Sequence, residues 1–412
     1  MSVDPQPTLR RVEAYRVPGH PAPIHLDLSG NLGPQIDLEL SLDRQDLRLY
    51  PNAKPLEALL SRRLGVSPAQ LIVTAGADDA IDRICRSVLC EGRVAVVSDP
   101  GFIITADRAN LCGAAVRAVP WPGGAFPVAE TLEVGEAASL VVVTSPNNPT
   151  GAVATADDLR RLSVSLPDAL LLVDLAYAEY ADEDLTAAAL ALPNAVVTRT
   201  LSKAWGLAGL RVGFAVGPAP VIGWLRAAGM PYAVSQPSLR LAERWVRTGQ
   251  ALVDAHIAQV RKDRRRLIAV LAELGIAAVD SQANFVYFQA PDAAWLFDGL
   301  AGLGIKVRRF PGTAGIRIGC PATAEDLEQI VCGLQAVLAP EAVLTPEMLS
   351  AEESTVSALA RLGVTRAWRV CQTAAQVNDA RSAGVVPLGW RDDALLAAGA
   401  ARIITDLSEV PR

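Results

Sequence analysis

The strongest constraint on this chain is a succession of short apolar runs separated by helix-patterned segments. Residues 94–97, 115–119, 139–144, 170–173 and 195–198 place apolar side chains at mostly consecutive positions rather than at every second one. Alternation marks a strand with one wet face. Continuous apolarity marks a strand covered on both faces, as in a parallel sheet between helical layers. A helical run at 56–64, a short apolar run at 70–75 and a helix at 78–89 begin the alternation. The pattern predicts an α/β fold with a large, doubly wound, mostly parallel-sheet domain over residues 51–235.

The pattern changes near Gly229-Met-Pro-Tyr232. A long amphipathic helix is predicted over 237–274, then short strands at 284–288, 306–309 and 315–318 and a helix at 323–338. This reads as a smaller α+β domain over 236–340, with residues 1–50 as an N-terminal segment joining that domain and its pocket. The stretch Pro340-Glu-Ala-Val-Leu-Thr-Pro346 reads as a linker. Residues 345–412 have their own helix and strand rhythm and are expected to form an appended α/β unit.

Composition narrows the function. The chain has 412 residues, 51 % hydrophobic and 20 % charged, enough for two or three domains with a large core. A net charge of −6 with both signs interspersed argues against nucleic acid or an anionic membrane as partner. No apolar leader region and no eighteen-residue apolar span are visible, so a cytoplasmic location is expected. The six cysteines lack paired spacing and are expected to be buried, small apolar residues. His20, His25 and His256 are not spaced as metal ligands, so no metal is expected.

Only four of the 38 cationic residues are lysines, so each lysine can be examined singly. Lys203 lies in Thr200-Leu-Ser-Lys-Ala-Trp-Gly-Leu-Ala-Gly-Leu-Arg-Val-Gly-Phe214, after an apolar strand. Burial favours the neutral, nucleophilic amine of a Schiff-base lysine, though an ordinary loop lysine remains open on this segment alone. Asp174 ends an apolar strand and needs a cationic partner, and a protonated pyridine nitrogen is one. Tyr177 and Asn148, the latter in Ser145-Pro-Asn-Asn-Pro-Thr-Gly151, are candidate donors to a ring oxygen. The strand, glycine turn and helix start around Gly76 offer the N–H groups of Ala77 and Asp78 to a phosphate, with Ser202 and Arg211 adding a hydroxyl and a guanidinium. Phe102, after Asp99-Pro-Gly, either stacks on a flat ring or belongs to the core.

Together these segments resemble the fold-type I pyridoxal-phosphate enzymes, most closely the histidinol-phosphate aminotransferase group, with the threonine-phosphate decarboxylases of cobalamin assembly nearby. The resemblance spans about residues 8–340, with Tyr50-Pro51, Ala283-Asn-Phe285 and Ile316-Arg-Ile318 as further matches. It implies that Lys203 carries pyridoxal 5'-phosphate and that Asp174 pairs with the ring nitrogen. Asn148 and Tyr177 then donate to the ring oxygen, Ala77, Asp78, Ser202 and Arg211 cup the phosphate, and Phe102 stacks. It further implies a homodimer with shared sites, in which Tyr50 reaches the neighbouring subunit's phosphate. Arg317 would bind the substrate's acidic group, and Asn31 and Tyr15 would line the pocket. Two departures stand out: Asp174-Leu-Ala-Tyr177 lacks the family's second acid, and Ser29-Gly-Asn-Leu-Gly-Pro34 is shorter than the family pattern.

Residues 345–412 resemble something else, the last third of a haloacid-dehalogenase-type phosphatase, through Trp368–Gly384, Gly389-Trp390 and residues 393–400. Gln372 replaces the usual acid and no Asp-x-Asp strand precedes it within the tail, so a packing or interface role is expected rather than catalysis. The expected activity is amino transfer from a phosphorylated or acidic amino substrate to 2-oxoglutarate. The alternatives are decarboxylation of threonine phosphate on the same residues, and a non-catalytic adaptor on the same fold.

Overall fold

The apolar runs do become strands. In a computed structural model that describes residues 4–16, 19–321, 323–349, 353–405 and 409–410, they form one seven-stranded sheet. Its order is Leu71–Thr74, Gly213–Val216, Ala195–Thr200, Leu170–Asp174, Leu140–Thr144, Val94–Asp99, Ala115–Pro120. All neighbours are parallel except Gly213–Val216, which is antiparallel to both strands beside it. The register sets Thr144 opposite Asp174, and Asp174 opposite Thr198. The polar residues closing these apolar strands therefore lie side by side at the carboxyl ends, where open α/β sheets bind ligands.

One helical layer illustrates how the sheet is covered. Helix Gly76–Val88 buries Ala80, Ile81, Ile84, Cys85 and Val88, a stripe at helical spacing. That stripe packs with Ile72, Val142, Leu172 and Val196 from four different strands in one core cluster.

The chain divides into two compact units. The first is Met1–Tyr15, Leu32–Arg261 and Val279–Asn284; the second is Arg16–Asn31, Lys262–Ala278 and Phe285–Arg412. The second unit holds a three-stranded antiparallel sheet of Arg308–Arg309, Gly315–Gly319 and Phe285–Gln289, and a short parallel pair of Leu26–Asp27 with Ile305–Lys306. It also holds a four-stranded parallel sheet in simple sequential order: Ala342–Leu344, Ala367–Cys371, Val386–Trp390, Arg402–Ile404.

Several expectations are corrected. The stretch 340–346 is no plain linker, because Ala342–Leu344 pairs in parallel with Ala367–Arg369 as the first strand of the terminal sheet. The 237–274 helix is two helices, Gln236–Thr248 and Gln250–Glu273. The Trp245 indole lies where a side chain at Gly249 would stand, 2.5 Å from an ideal Cβ, and its N–H is fixed to the Trp205 carbonyl at 2.9 Å. Strand Ala115–Pro120 is not covered on both faces; it is the sheet's edge, and most of its residues are exposed. Cys85, Cys320 and Cys371 are buried, whereas Cys90 and Cys332 are exposed and Cys112 is intermediate. Cys332 occupies the wet side of helix Ala324–Leu338, one turn from Glu328. Among the described residues no helix is long and apolar enough to cross a membrane.

The terminal sheet is not separable from its own unit. Trp368 packs edge-on against Trp295 of helix Ala293–Gly302 at 4.8 Å, and its indole N–H donates to the Ala336 carbonyl of helix Ala324–Leu338 at 2.9 Å. Arg402 pairs with Asp298 at 2.9 Å. Trp368→Ala is expected to destabilise the chain by about 3–5 kcal/mol, the usual cost of truncating a buried aromatic. Denaturant unfolding measures this, and an unchanged midpoint would count against a shared core.

Candidate active site

Asp174 sits at the carboxyl end of a central strand, 4 % exposed, with Thr198 Oγ1 donating to its carboxylate at 2.9 Å. Burial raises this carboxyl to about 6, and the nearby Asp78 charge adds to the rise while the Thr198 bond opposes it. A carboxyl that deep calls for a cation. A protonated aromatic nitrogen meets the requirement chemically.

Lys203 follows strand Ala195–Thr200 in a tight loop, closed by Gly206 N–H on the Lys203 carbonyl at 3.0 Å and Leu207 N–H on the Leu201 carbonyl at 2.9 Å. Its ammonium lies 5.5 Å from the centre of the buried Tyr177 ring. Gly33 crosses the loop so closely that an ideal Cβ would stand 1.7 Å from the Lys203 carbonyl oxygen. Asn284 secures that crossing segment by donating to the Leu32 carbonyl at 3.2 Å.

The anion-binding elements gather beside this loop. Helix Gly76–Val88 begins without a side-chain cap, which leaves its first N–H groups, including those of Ala77 and Asp78, available to a ligand. Arg211 lies 3.1 Å from the Asp78 carboxylate and 3.5 Å from the Ser202 hydroxyl. Ser202 also receives a hydrogen bond from Thr200 Oγ1 at 2.9 Å. Glycine is required at position 76, where φ is +81° and a Cβ would stand 2.7 Å from the Arg211 guanidinium. Gly213 lets the antiparallel strand approach this helix start, since its Cβ would meet Ala77 N at 2.6 Å.

The structure thus brings together Lys203 with Tyr177, and Ser202 with Arg211, Asp78 and the turn at Gly76. Asn148 is half-buried in the loop that follows strand Leu140–Thr144. Phe102 is partly buried and packs against the core cluster, as its core reading expects. Tyr50 is not gathered into the site: it is 79 % exposed and stacks on Tyr232 with ring centres 4.8 Å apart. Tyr15, in the same unit, is also exposed.

Asn31 and Arg317 belong to the second unit. Both are buried, and Asn31 adopts a left-handed backbone with φ of 50°. Arg317 donates to the Ser29 carbonyl at 2.7 Å and lies over the Phe285 ring at 5.1 Å. Arg308 is its direct cross-strand neighbour. Three residues received no role in the sequence reading: Thr198, Gly33, quoted only within Ser29–Pro34, and Asn284, quoted only within the Ala283-Asn-Phe285 match. A threonine in a buried strand one position across from an acid was the available signal for Thr198; nothing in the sequence pairs Gly33 with Lys203.

Comparison with known proteins places the chain in a family. The pattern of the family described as aminotransferase class I and II matches residues 34–334. The chain belongs to this family. It is 36 % identical to a histidinol-phosphate aminotransferase of Limosilactobacillus fermentum over 64 % of this chain and 75 % of that protein. With the enzyme of that name from Chlorobium phaeovibrioides it shares 34 % over 74 % of this chain and 88 % of the other. Among solved structures, a histidinol-phosphate aminotransferase of Sinorhizobium meliloti in complex with pyridoxal-5'-phosphate matches with a TM-score of 0.70 and 23 % identity, covering 81 % of this chain and 97 % of that one. A Thermus thermophilus aspartate aminotransferase matches at 0.67 and 22 %, covering 77 % and 92 %. These two establish the fold, a fold-type I architecture.

The raised Asp174 carboxyl predicts a pH signature. A carboxyl whose folded value lies above its unfolded 3.8 costs stability as pH rises from about 4 through about 6, and the cost is constant above that. Asp174→Asn removes it. In the ligand-free protein this variant is expected to be more stable at pH 8, by about 2–3 kcal/mol at most, and little different at pH 4. Thermal unfolding at both pH values tests this; identical midpoints at pH 8 would show that Asp174 is not held against its own charge.

Proposed function

We propose that this chain is a pyridoxal-phosphate-dependent aminotransferase of the histidinol-phosphate type, moving the amino group of a phosphorylated or acidic amino substrate to 2-oxoglutarate. The observation that carries the reading is the buried Asp174 at the carboxyl end of a central strand, in the same unit as Lys203 and the Ser202, Arg211 and Gly76 cup. Its relatives named histidinol-phosphate aminotransferases support the substrate class.

Lys203 holds the cofactor through Nζ, Asp174 keeps the ring nitrogen protonated, and Asn148 and Tyr177 donate to the ring oxygen. Ser202, Arg211 and the N–H groups of Ala77 and Asp78 hold the phosphate, and Phe102 stacks on the ring. When bound, pyridoxal phosphate supplies an electron sink for negative charge at the substrate Cα. With the cofactor bound, Lys203 would take the substrate Cα proton at Nζ and return it, acting as base and then acid. Tyr177, under the Lys203 ammonium, keeps that amine in place and excludes water. Arg317, with Asn31, receives the acidic end of the substrate, which a guanidinium binds in bidentate fashion.

We further propose a homodimer. The exposed Tyr50 and Tyr232, with Leu47, Leu49 and Met230 also exposed nearby in sequence, are apolar surface that a partner subunit would cover. In that assembly Tyr50 reaches the partner's cofactor phosphate.

Incubation with histidinol phosphate and 2-oxoglutarate is expected to yield glutamate, and Lys203→Ala to lower kcat by at least about 10²–10⁴-fold. Release of carbon dioxide from threonine phosphate with no need for a keto acid would replace the transaminase reading with the decarboxylase one. Full turnover by Lys203→Ala would overturn both.

A further inference from the structure

The terminal residues 345–412 lie outside the matched family region, and their contacts within the second unit converge on one place. Arg381, on helix Ala374–Ser382, spreads its guanidinium over three main-chain carbonyls from three distant parts of the chain. It donates to Gly399 at 3.1 Å in the terminal sheet region, to Gly302 at 2.8 Å at the end of helix Ala293–Gly302, and to Pro23 at 2.9 Å in the N-terminal segment. A planar fork with five donors can serve three carbonyls at once, which an ammonium on a flexible stem does poorly.

Glycines make the convergence possible. A Cβ at Gly302 would stand 2.6 Å from the Ala401 methyl, one at Gly399 2.3 Å from the Arg381 guanidinium, and one at Gly304 2.2 Å from the His25 ring. A second tie, from His20 Nε2 to the Ala401 carbonyl at 3.1 Å, fixes the same segment to the tail.

From that point the N-terminal segment runs as a strap toward the substrate residues. The N–H groups of His25 and Leu26 donate to the Gly304 carbonyl at 3.0 and 3.1 Å, and Leu26–Asp27 lies in register with Ile305–Lys306. Leu28 N–H reaches the Lys306 carbonyl at 2.7 Å, while the Leu28 carbonyl accepts from Gly319 N–H at 2.9 Å. Ser29 then receives Arg317, and two residues later the strap ends at buried Asn31.

We propose that the C-terminal unit braces this strap, and that Arg381 is the positioning residue through which it fixes Asn31 and Arg317 for the substrate's acidic group. The role assigned to Arg317 rests on the transaminase reading above; the bracing does not. Arg381 touches neither substrate nor cofactor and acts through backbone placement.

The test uses the full-length holoenzyme and its Arg381→Ala and Arg381→Lys variants, with two readouts. In Arg381→Ala, amide exchange at residues 25–29 is expected to quicken by about tenfold or more, because local opening of a weakly held segment governs that rate. The KM for histidinol phosphate is expected to rise by about fivefold or more with cofactor affinity unchanged, the mark of lost ground-state placement. Arg381→Lys restores part of both, keeping the charge and fewer of the three bonds. Unchanged exchange at 25–29, or quickened exchange with an unchanged KM, would overturn the proposal. Quickened strap exchange in a protein whose wild type does not turn over histidinol phosphate would support the brace and sink only the substrate reading. Should Arg381→Ala fail to fold, exchange in the wild type under mild denaturant decides: strap and tail opening together supports the brace, and the strap opening well before the tail overturns it.

Discussion

A carboxylate buried where no carboxylate is comfortable organises this protein. Asp174 is placed by the register of three parallel strands, and Thr198 and a main-chain bond at Ala176 soften its desolvation. Such a group is tolerated in a core when a ligand will later satisfy it, so part of the fold's stability is surrendered to the site. The remaining machinery follows from the same sheet. The antiparallel strand Gly213–Val216 carries Arg211 back to the helix start at Gly76, and the loop after Ala195–Thr200 delivers Lys203 over Tyr177.

Continuous apolar runs made the parallel sheet legible, because burial on both faces leaves no freedom to alternate. The same logic misread Ala115–Pro120, whose apolar composition does not reveal that it ends the sheet. Long-range approaches were invisible for a different reason. That Gly33 lies on the Lys203 carbonyl, or that Trp245 leaves no room for a side chain at Gly249, depends on residues brought together only by folding. Lys203, Asp174, Tyr177, Ser202 and Arg211 could be picked out because polar groups at the ends of apolar strands need a chemical reason to be there.

The tail shows the limit of reading domains from sequence rhythm. Its alternation of helix and strand is real, yet the stretch expected to tether it is itself a strand of its sheet. Its other face is closed by helices Ala293–Gly302 and Ala324–Leu338, through the Trp295–Trp368 contact and the Trp368 bond to Ala336. A sequential parallel sheet with right-handed connections puts its own helices on one face, so the opposite face must be covered by something else. Here that cover already existed.

The exposed strand Ala115–Pro120 carries a consequence for how copies of this chain meet. An open sheet margin presents unused N–H and C=O groups, a ready template for a strand of another molecule. Arg117 places a charge in the middle of this margin, and Pro120 has no N–H to offer at its end. Edge-to-edge joining into an extended sheet is thereby discouraged on this side. The homodimer proposed above would then use surfaces with side chains rather than backbone to share, such as the stacked tyrosines at positions 50 and 232.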